Sequence, residues 1–249
     1  MDNIQRTLVF TATFNESENI EKLIKSINSQ PYQLDILIID DNSPDGTREI
    51  IISLQENFKN LHLINRDKKL GLDTAHKLAY NYAILNKYDF LITMDADLSH
   101  NPDDIGFFLE HLKNHSFVIG SRYINGGKCL MKKKRLLLSK YGNLLIKHFL
   151  RIKCNEFTTS YRGFNLKKLK NFDLNLVKTK GYSFFMGTIY EIAKAKYEIK
   201  EIPIIFTDRV KGYSKIPQLE ILRTLKNLFI LSMKNLMTKL LWYPTKNRT

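Results

Sequence analysis

An alternation dominates this chain and limits what it can fold into. Through the first half, short apolar runs rich in β-branched residues stand at 7–11 (TLVFT), 35–39 (DILII), 61–64 (LHLI), 90–94 (FLITM) and 117–119 (FVI). Between them apolar residues recur at helical spacing: Ile20, Leu23, Ile24, Ile27; Ile51, Leu54, Phe58; Ala75, Leu78, Ala79, Tyr82; and Ile105, Phe108, Leu109, Leu112. Asn101 is the expected N-cap of the last helix, with Pro102 at its first position and Asp103 and Asp104 in its first turn. This order predicts an α/β fold: a mainly parallel sheet with right-handed crossovers and helices on both faces. Such sheets bind ligands beyond the carboxyl ends of their strands. The candidates are therefore the polar residues after each run, at 13–16, 40–46, 66–73, 95–97 and 121–122.

Composition removes other classes. With 249 residues, 43% hydrophobic and 26% charged, and only 11 Gly and 6 Pro, the chain is neither disordered, collagen-like nor a small disulfide scaffold. Cys129 and Cys154 lie far apart without a Cys-x-x-Cys, so no disulfide framework or thiolate metal site is expected, and a reducing compartment fits. The first six residues lack a cationic flank followed by an apolar run, and no stretch reaches about 18 uncharged apolar residues. Neither a cleaved secretory signal nor a transmembrane helix is expected. Thirty-nine basic against 25 acidic residues give +14, which points to an anionic partner: nucleic acid, anionic lipid or a phosphorylated substrate.

Beyond Arg122 the pattern changes. Residues 128–155 hold nine basic and no acidic side chains, interleaved with Leu136, Leu137, Leu138, Leu144, Leu145, Ile146 and Phe149. Strand character returns at 202–206. From 217 to 242 the period is helical, with Leu222, Leu225, Phe229, Met233, Leu236 and Leu240 on one face. The expected organisation is an α/β domain over 1–210 and a basic, amphipathic helical segment over 211–249.

Asp95-Ala96-Asp97, directly after an apolar run, is the sharpest chemical feature. Two carboxylates at i and i+2 on a strand end can both reach a hard divalent cation that also touches substrate phosphates; a solvated turn is the plain alternative. Asp40-Asp41 forms a second acidic strand end, suited to accepting hydrogen bonds from a base or ribose. No glycine-rich phosphate loop is present, so a bound nucleotide would have its phosphates met by metal and side chains.

Seven motifs then occur in order: Thr13-Phe-Asn-Glu-Ser-Glu-Asn19, Asp40-Asp-Asn-Ser-Pro-Asp-Gly-Thr47, Lys69-Leu-Gly-Leu72, Met94-Asp-Ala-Asp-Leu-Ser-His100, Gly120-Ser-Arg-Tyr123, Lys180-Gly-Tyr182 and Asp208-Arg-Val-Lys-Gly-Tyr-Ser-Lys215. In them the chain resembles the dolichyl-phosphate (polyprenyl-phosphate) mannosyltransferase branch of the family 2 glycosyltransferases, from about residue 7 to residue 230. The resemblance implies a GT-A, Rossmann-like fold. It also implies that Ala12, Phe14, Glu16, Asp41, Asp95 and Ala96 hold the donor nucleotide, and that Asp95, Asp97 and Ser99 hold Mg²⁺ or Mn²⁺. Asp97, Arg122, Arg209 and Lys215 would be catalytic, and Arg135, Arg209 and Lys215 would meet the acceptor phosphate. Ala12 and Phe14 replace the usual Pro and Tyr, and Ser99 stands where many relatives have Gln. Phe185 and Gly187 replace a Gln and a Glu, Asp73 a Gly, and Tyr213 a Glu. These changes surround the expected sugar and acceptor pocket and leave the sugar open.

The expected activity is inverting, metal-dependent transfer of a sugar, with mannose and GDP-mannose as first readings, to a polyprenyl or dolichyl phosphate. A lipid phosphate with a second pKa near 6 is already mostly dianionic at neutral pH, so no catalytic base is needed. Transfer to a sugar hydroxyl would need a positioned base, and a catalytically silent nucleotide-binding protein is the other alternative. A nucleic-acid module would explain the charge, but no binding motif is present and no nucleic-acid partner is expected. The expected location is peripheral, on the cytoplasmic face of a membrane, through 128–155 and 217–242, with a membrane-protein partner left open.

Overall fold

A computed structural model describes residues 5–208 and 220–241. The five apolar runs form β1 (Thr7–Thr13), β2 (Leu34–Asp40), β3 (Leu61–Asn65), β4 (Phe90–Thr93) and β5 (Phe117–Ser121). The periodic segments form α1 (Ile20–Asn28), α2 (Thr47–Gln55), α3 (Leu72–Leu85) and α4 (Ile105–Leu112). The turn Pro102–Asp104 is 3-10 and leads into α4, and the Asn101 side chain accepts the Asp103 N–H as its cap.

A seven-stranded sheet has the order β3-β2-β1-β4-β7-β5-β8, with β8 spanning Ile199–Pro203. β7 (Arg162–Asn165) runs antiparallel to both neighbours, whereas β1, β2, β3 and β4 are mutually parallel and β5 is parallel to β8. Both faces are covered, which is why the strands read as continuous apolar runs. Leu8, Phe10, Leu37, Ile39 and Leu91 face Ala75, Ala79 and Tyr80 of α3 on one side. Val9, Ile36, Ile38 and Ile92 meet Ile20, Leu23, Ile51 and Phe108 from α1, α2 and α4 on the other.

Two elements lie outside the sequence expectation. β7 reads Arg-Gly-Phe-Asn and has no apolar run. Its Gly163 is required by packing, because a Cβ there would come within 2.9 Å of Leu112 Cδ1 and 3.0 Å of Phe108 Cδ1. α6 (Ser183–Lys194) is buried almost all round, so it lacks the polar stripe by which a surface helix is recognised. The stretch at 202–206 divides: β8 ends at Pro203, and β9 (Ile205–Phe206) pairs with β6 (Lys128–Cys129) in a two-stranded ribbon.

The basic stretch after β6 becomes α5 (Lys133–Leu150), and the tail becomes α7 (Glu220–Leu241). α7 docks on the core through Leu228 and Leu231, each such burial contributing about 1.5–3 kcal/mol. Asn227 Nδ2 donates to Ser183 Oγ, and Asn235 Nδ2 to the Leu150 carbonyl of α5. The stripe Leu222, Leu225, Phe229, Met233 and Leu236 remains exposed, as do Leu137, Leu138, Tyr141, Leu144, Leu145 and Phe149 of α5. Among the described residues no helix is long and apolar enough to cross a membrane.

Candidate active site

Parallel pairing places the segments after β3, β2, β1 and β4 side by side along the carboxyl edge. Buried Asp40 ties the ends of β1 and β2 together: its Oδ1 accepts from Thr13 Oγ1 (2.8 Å) and Ser43 Oγ (2.6 Å), and its Oδ2 from the Ser43 N–H (2.8 Å). Asp40 is thus a brace for the turn that carries Asp41. Asp41 forms a buried ion pair with Arg66 and accepts the Gly71 N–H at 3.0 Å, which draws the loop after β3 against β2. Lys69 from that loop stands with Nζ 3.8 Å above the half-buried Phe14 ring. Glu16 accepts from Asn19 Nδ2 at 3.0 Å, and Ala12 is half-buried on β1.

After β4 the chain makes the turn that carries the paired carboxylates. Leu98 takes the left-handed conformation at φ 61°, which bends the chain back so that Ser99 donates both its N–H (3.1 Å) and its hydroxyl (2.5 Å) to Asp97 Oδ1. Asp95 Oδ1 accepts from Ser160 Oγ. The main-chain N–H of Asp95 donates to His100 Nδ1 at 3.0 Å, so the imidazole carries its proton on Nε2 and gives it to Thr159 Oγ1 at 3.1 Å. Burial pushes the His100 pKa below the ordinary imidazole value despite the nearby Asp95 and Asp97, and the ring is neutral. His100 therefore shapes the turn without neutralising its carboxylates.

Arg122, just past β5, is held by Glu156. Nε donates to Oε2 at 2.7 Å and Nη2 to Oε1 at 2.8 Å, while Nη2 also donates to Thr158 Oγ1 at 2.7 Å. Burial would raise the Glu156 carboxyl, but the Arg122 guanidinium and the Thr158 N–H and hydroxyl outweigh it and hold it below the carboxylate range. Phe206 lies 5.1 Å from the Arg122 guanidinium and 5.4 Å from the His100 ring, joining the two halves of the edge.

The partners Glu156, Thr158, Thr159 and Ser160 all precede a strand. β7 is antiparallel, so it delivers to the carboxyl edge the residues before it, whereas the parallel strands deliver those that follow. Reading only the ends of strands misses this segment; its one sequence signal is the hydroxyl cluster Thr158-Thr159-Ser160.

The structure gathers Ala12, Phe14, Glu16, Asp41, Asp95 and Asp97 on one edge. Ala96 is buried in the core. Ser99, expected as a metal ligand, has its hydroxyl on Asp97 and lies buried, so here it orients that carboxylate. Arg122, expected to be catalytic, has its guanidinium committed to Glu156 in a buried pair and braces the site. Arg135 Nη1 donates to Asp208 Oδ1 at 3.2 Å, and the adjacent Thr207 N–H donates to the Ser99 carbonyl at 3.3 Å, which brings the start of α5 toward the acidic turn. Arg209 and Lys215 lie outside the described residues.

The donor set suits a hard divalent cation. Asp95 and Asp97 offer carboxylate oxygens on one turn, and the neutral His100 withholds the positive charge that would compete with a metal. Among the described residues no group of three or more His, Cys, Asp and Glu side chains forms a complete cage. Such a metal would share its coordination with substrate phosphates, as Mg²⁺ does when held by one or two carboxylates.

This sheet, with its carboxyl-edge acidic turn, is the GT-A fold. It is shared with a mannosyltransferase from Pyrobaculum calidifontis in complex with GDP-Man and Mn²⁺, with a TM-score of 0.61 at 17% identity, over 94% of this chain and 65% of that one. Glucosyl-3-phosphoglycerate synthase from Mycobacterium tuberculosis, in complex with Mn²⁺, UDP and glucosyl-3-phosphoglycerate, aligns with a TM-score of 0.64 at 14% identity, over 93% of this chain and 80% of that one. The chain belongs to glycosyl transferase family 2, whose model matches residues 8–172, and it is a glycosyltransferase. It is 33% identical to polyprenol monophosphomannose synthase of Mycolicibacterium smegmatis, over 85% of this chain and 81% of the relative. It is 31% identical to undecaprenyl-phosphate mannosyltransferase of Micrococcus luteus, over 85% and 87%.

Proposed function

We propose that the protein transfers mannose from GDP-mannose to a polyprenyl or dolichyl phosphate at the cytoplasmic surface of a membrane, using Mg²⁺ or Mn²⁺. One observation carries the reading: the acidic Asp95–Asp97 edge, suited to a water-soluble nucleotide donor, adjoins α5, whose exposed Leu137, Leu138, Tyr141 and Leu144 are interleaved with Lys133, Lys134, Arg135 and Lys140. The names of the two relatives above support the same acceptor class.

In this reading Phe14, Glu16 and Asp41 seat the nucleoside, with Lys69 above Phe14. Asp95 and Asp97 would hold the metal, whose positive charge would compensate that of the departing nucleoside diphosphate. Ser99, Ser160 and His100 keep both carboxylates in place before substrate arrives. Arg135, with Arg209 and Lys215, aligns the acceptor phosphate. One phosphate oxygen attacks the anomeric carbon as the bond to the nucleoside diphosphate breaks, and the configuration inverts. The attacking oxygen carries no proton, so no side chain has to remove one. The α5 and α7 faces lie on the membrane surface, where Lys and Arg meet anionic headgroups.

The test is a donor screen of GDP-, UDP- and dTDP-sugars with polyprenyl phosphate and Mg²⁺ or Mn²⁺, reading sugar in the lipid fraction. The expected product is a lipid-phosphate mannose of β configuration from GDP-mannose. Transfer only to a glycan hydroxyl, or donor binding without turnover, would overturn the proposal.

A further inference from the structure

The C-terminal end of α5 bears a feature that glycosyl transfer leaves unused. Leu144, Lys147, His148 and Arg151 recur at helical spacing and form one stripe. Arg151 caps the helix in the left-handed region at φ 54°, ψ 38°, where glycine is the usual occupant. The reversal brings Ile152, Lys153 and Asn155 back beside the stripe, and together these residues line an open concavity of about 540 Å³.

Its lining combines cationic and apolar side chains. Lys147, Arg151 and Lys153 carry positive charge, His148 adds ring nitrogens, and Leu144 and Ile152 supply the apolar surface. No lining residue is acidic. Glu201, which is not itself part of the lining, accepts both the N–H (3.0 Å) and the Nδ2 (2.8 Å) of Asn155. Asn155 Oδ1 in turn accepts from Lys147 Nζ at 2.7 Å and fixes that ammonium on the wall.

A helix C-terminus ordinarily repels anions through its exposed carbonyls. Here three of the last four carbonyls are occupied: Lys147 by the Arg151 N–H (2.9 Å), Phe149 by Ser232 Oγ (3.4 Å) and Leu150 by Asn235 Nδ2 (2.9 Å). On α7, within a turn of those two bonds, Phe229, Met233 and Leu236 stand exposed. Cations around a small cavity, with apolar side chains alongside, complement a phosphate attached to acyl chains.

We propose that this concavity binds the headgroup phosphate of an anionic phospholipid. The proposal rests on the reading that the α5 and α7 face lies on a membrane, and adds to it a defined ligand site. It is separate from the acceptor end of the enzyme, since 16 helical residues from Arg135 to Arg151 span about 24 Å. The site would fix the rotation of the enzyme on the bilayer, not only its attachment.

Arg151→Gly combined with Lys153→Gln removes two wall charges, and glycine relieves the left-handed backbone, so the fold is expected to hold its melting temperature. Lys133→Gln with Lys134→Gln removes the same charge at the other end of α5. Co-sedimentation is measured with phosphatidylcholine vesicles with and without phosphatidylglycerol. The cavity variant should lose about tenfold more affinity for the phosphatidylglycerol vesicles than the control variant. Equal losses would show a diffuse charge effect and overturn the proposal. Millimolar glycerol 1-phosphate, at ionic strength matched with chloride, distinguishes the two sources of phosphate. Wild-type binding that persists, or that returns as phosphatidylglycerol is raised, supports the lipid headgroup, and release to the level of the cavity variant that added phosphatidylglycerol does not reverse would make free phosphate the ligand and overturn the assignment. Wild-type protein that ignores both vesicles would instead refute the membrane reading itself.

Discussion

The imidazole of His100 stands between the Asp95 main chain and the Thr159 hydroxyl, accepting from one at 3.0 Å and donating to the other at 3.1 Å. It thereby fixes the turn that presents both carboxylates while contributing no charge to it. His100→Ala is expected to weaken Mn²⁺ binding about 10- to 100-fold, the usual loss when a group that orients ligands is removed. His100→Asn keeps an acceptor near the Nδ1 position and should recover part of the affinity. Electron paramagnetic resonance titration of Mn²⁺ reads this without turnover, and unchanged affinity in the Ala variant would refute the role.

Asp97→Ala should leave the far-ultraviolet circular dichroism intact and lower transfer on the order of a hundredfold or more, because the diphosphate loses its countercharge. Excess EDTA should reproduce that loss in the wild-type enzyme, with recovery on adding Mn²⁺. Full activity in either arm would remove the metal from the mechanism.

Glu156→Gln leaves the Arg122 guanidinium buried without its counter-ion and is expected to cost about 3–5 kcal/mol in urea unfolding at pH 7. The folded-state pKa of Glu156 lies below its ordinary 4.5, so the contribution is complete above that value and is lost as pH falls through the folded value. The gap between wild type and variant should therefore close on acidification. A gap independent of pH would place the effect in packing.

Burial, aided by Arg162, pushes His76 from the ordinary 6.5 to about 3, among Phe10, Phe184 and Phe185. The unfolded chain takes up a proton that the folded chain refuses, so stability is full above about pH 6.5 and falls toward pH 3, by up to about 1.4 kcal/mol per pH unit. His76→Leu should flatten that slope whatever it does to stability at pH 7. Parallel pH profiles of unfolding would show that His76 does not titrate in this way.

The parallel half of the fold was legible because β1, β2 and β4 are buried on both faces and must read as apolar runs. The acidic turn was legible for the same reason, since Asp95 follows such a run directly. Arg122 showed itself, but its partner Glu156 is 34 residues away and is brought back by β7, whose Arg162 is buried where apolar side chains are the rule. Arg162 is tolerated because its Nε donates to the Thr159 carbonyl and its Nη2 to that of Phe157, bonds that no local pattern announces. The tail helix was legible, and so was its apolar stripe. That Leu228 and Leu231 would meet the core while Phe229 stayed outside depended on where α5 and α6 lay.

The place of β7 between β4 and β5 has a consequence for synthesis. As the chain leaves the ribosome, β2, β3 and β4 each find a sheet neighbour already made, β1 for β2 and β4, and β2 for β3. β5 cannot join them: its sheet neighbours are β7 and β8, and both are synthesised later. The nascent chain must therefore carry 117–121 unpaired until residue 165 is available, with the apolar side chains of α5 produced meanwhile. The interval is a long-range closure of the kind that slows folding and exposes strand edges. The half that carries Asp41, Asp95 and Asp97 is thus built first, and the Arg122 half is locked on when the antiparallel strand inserts.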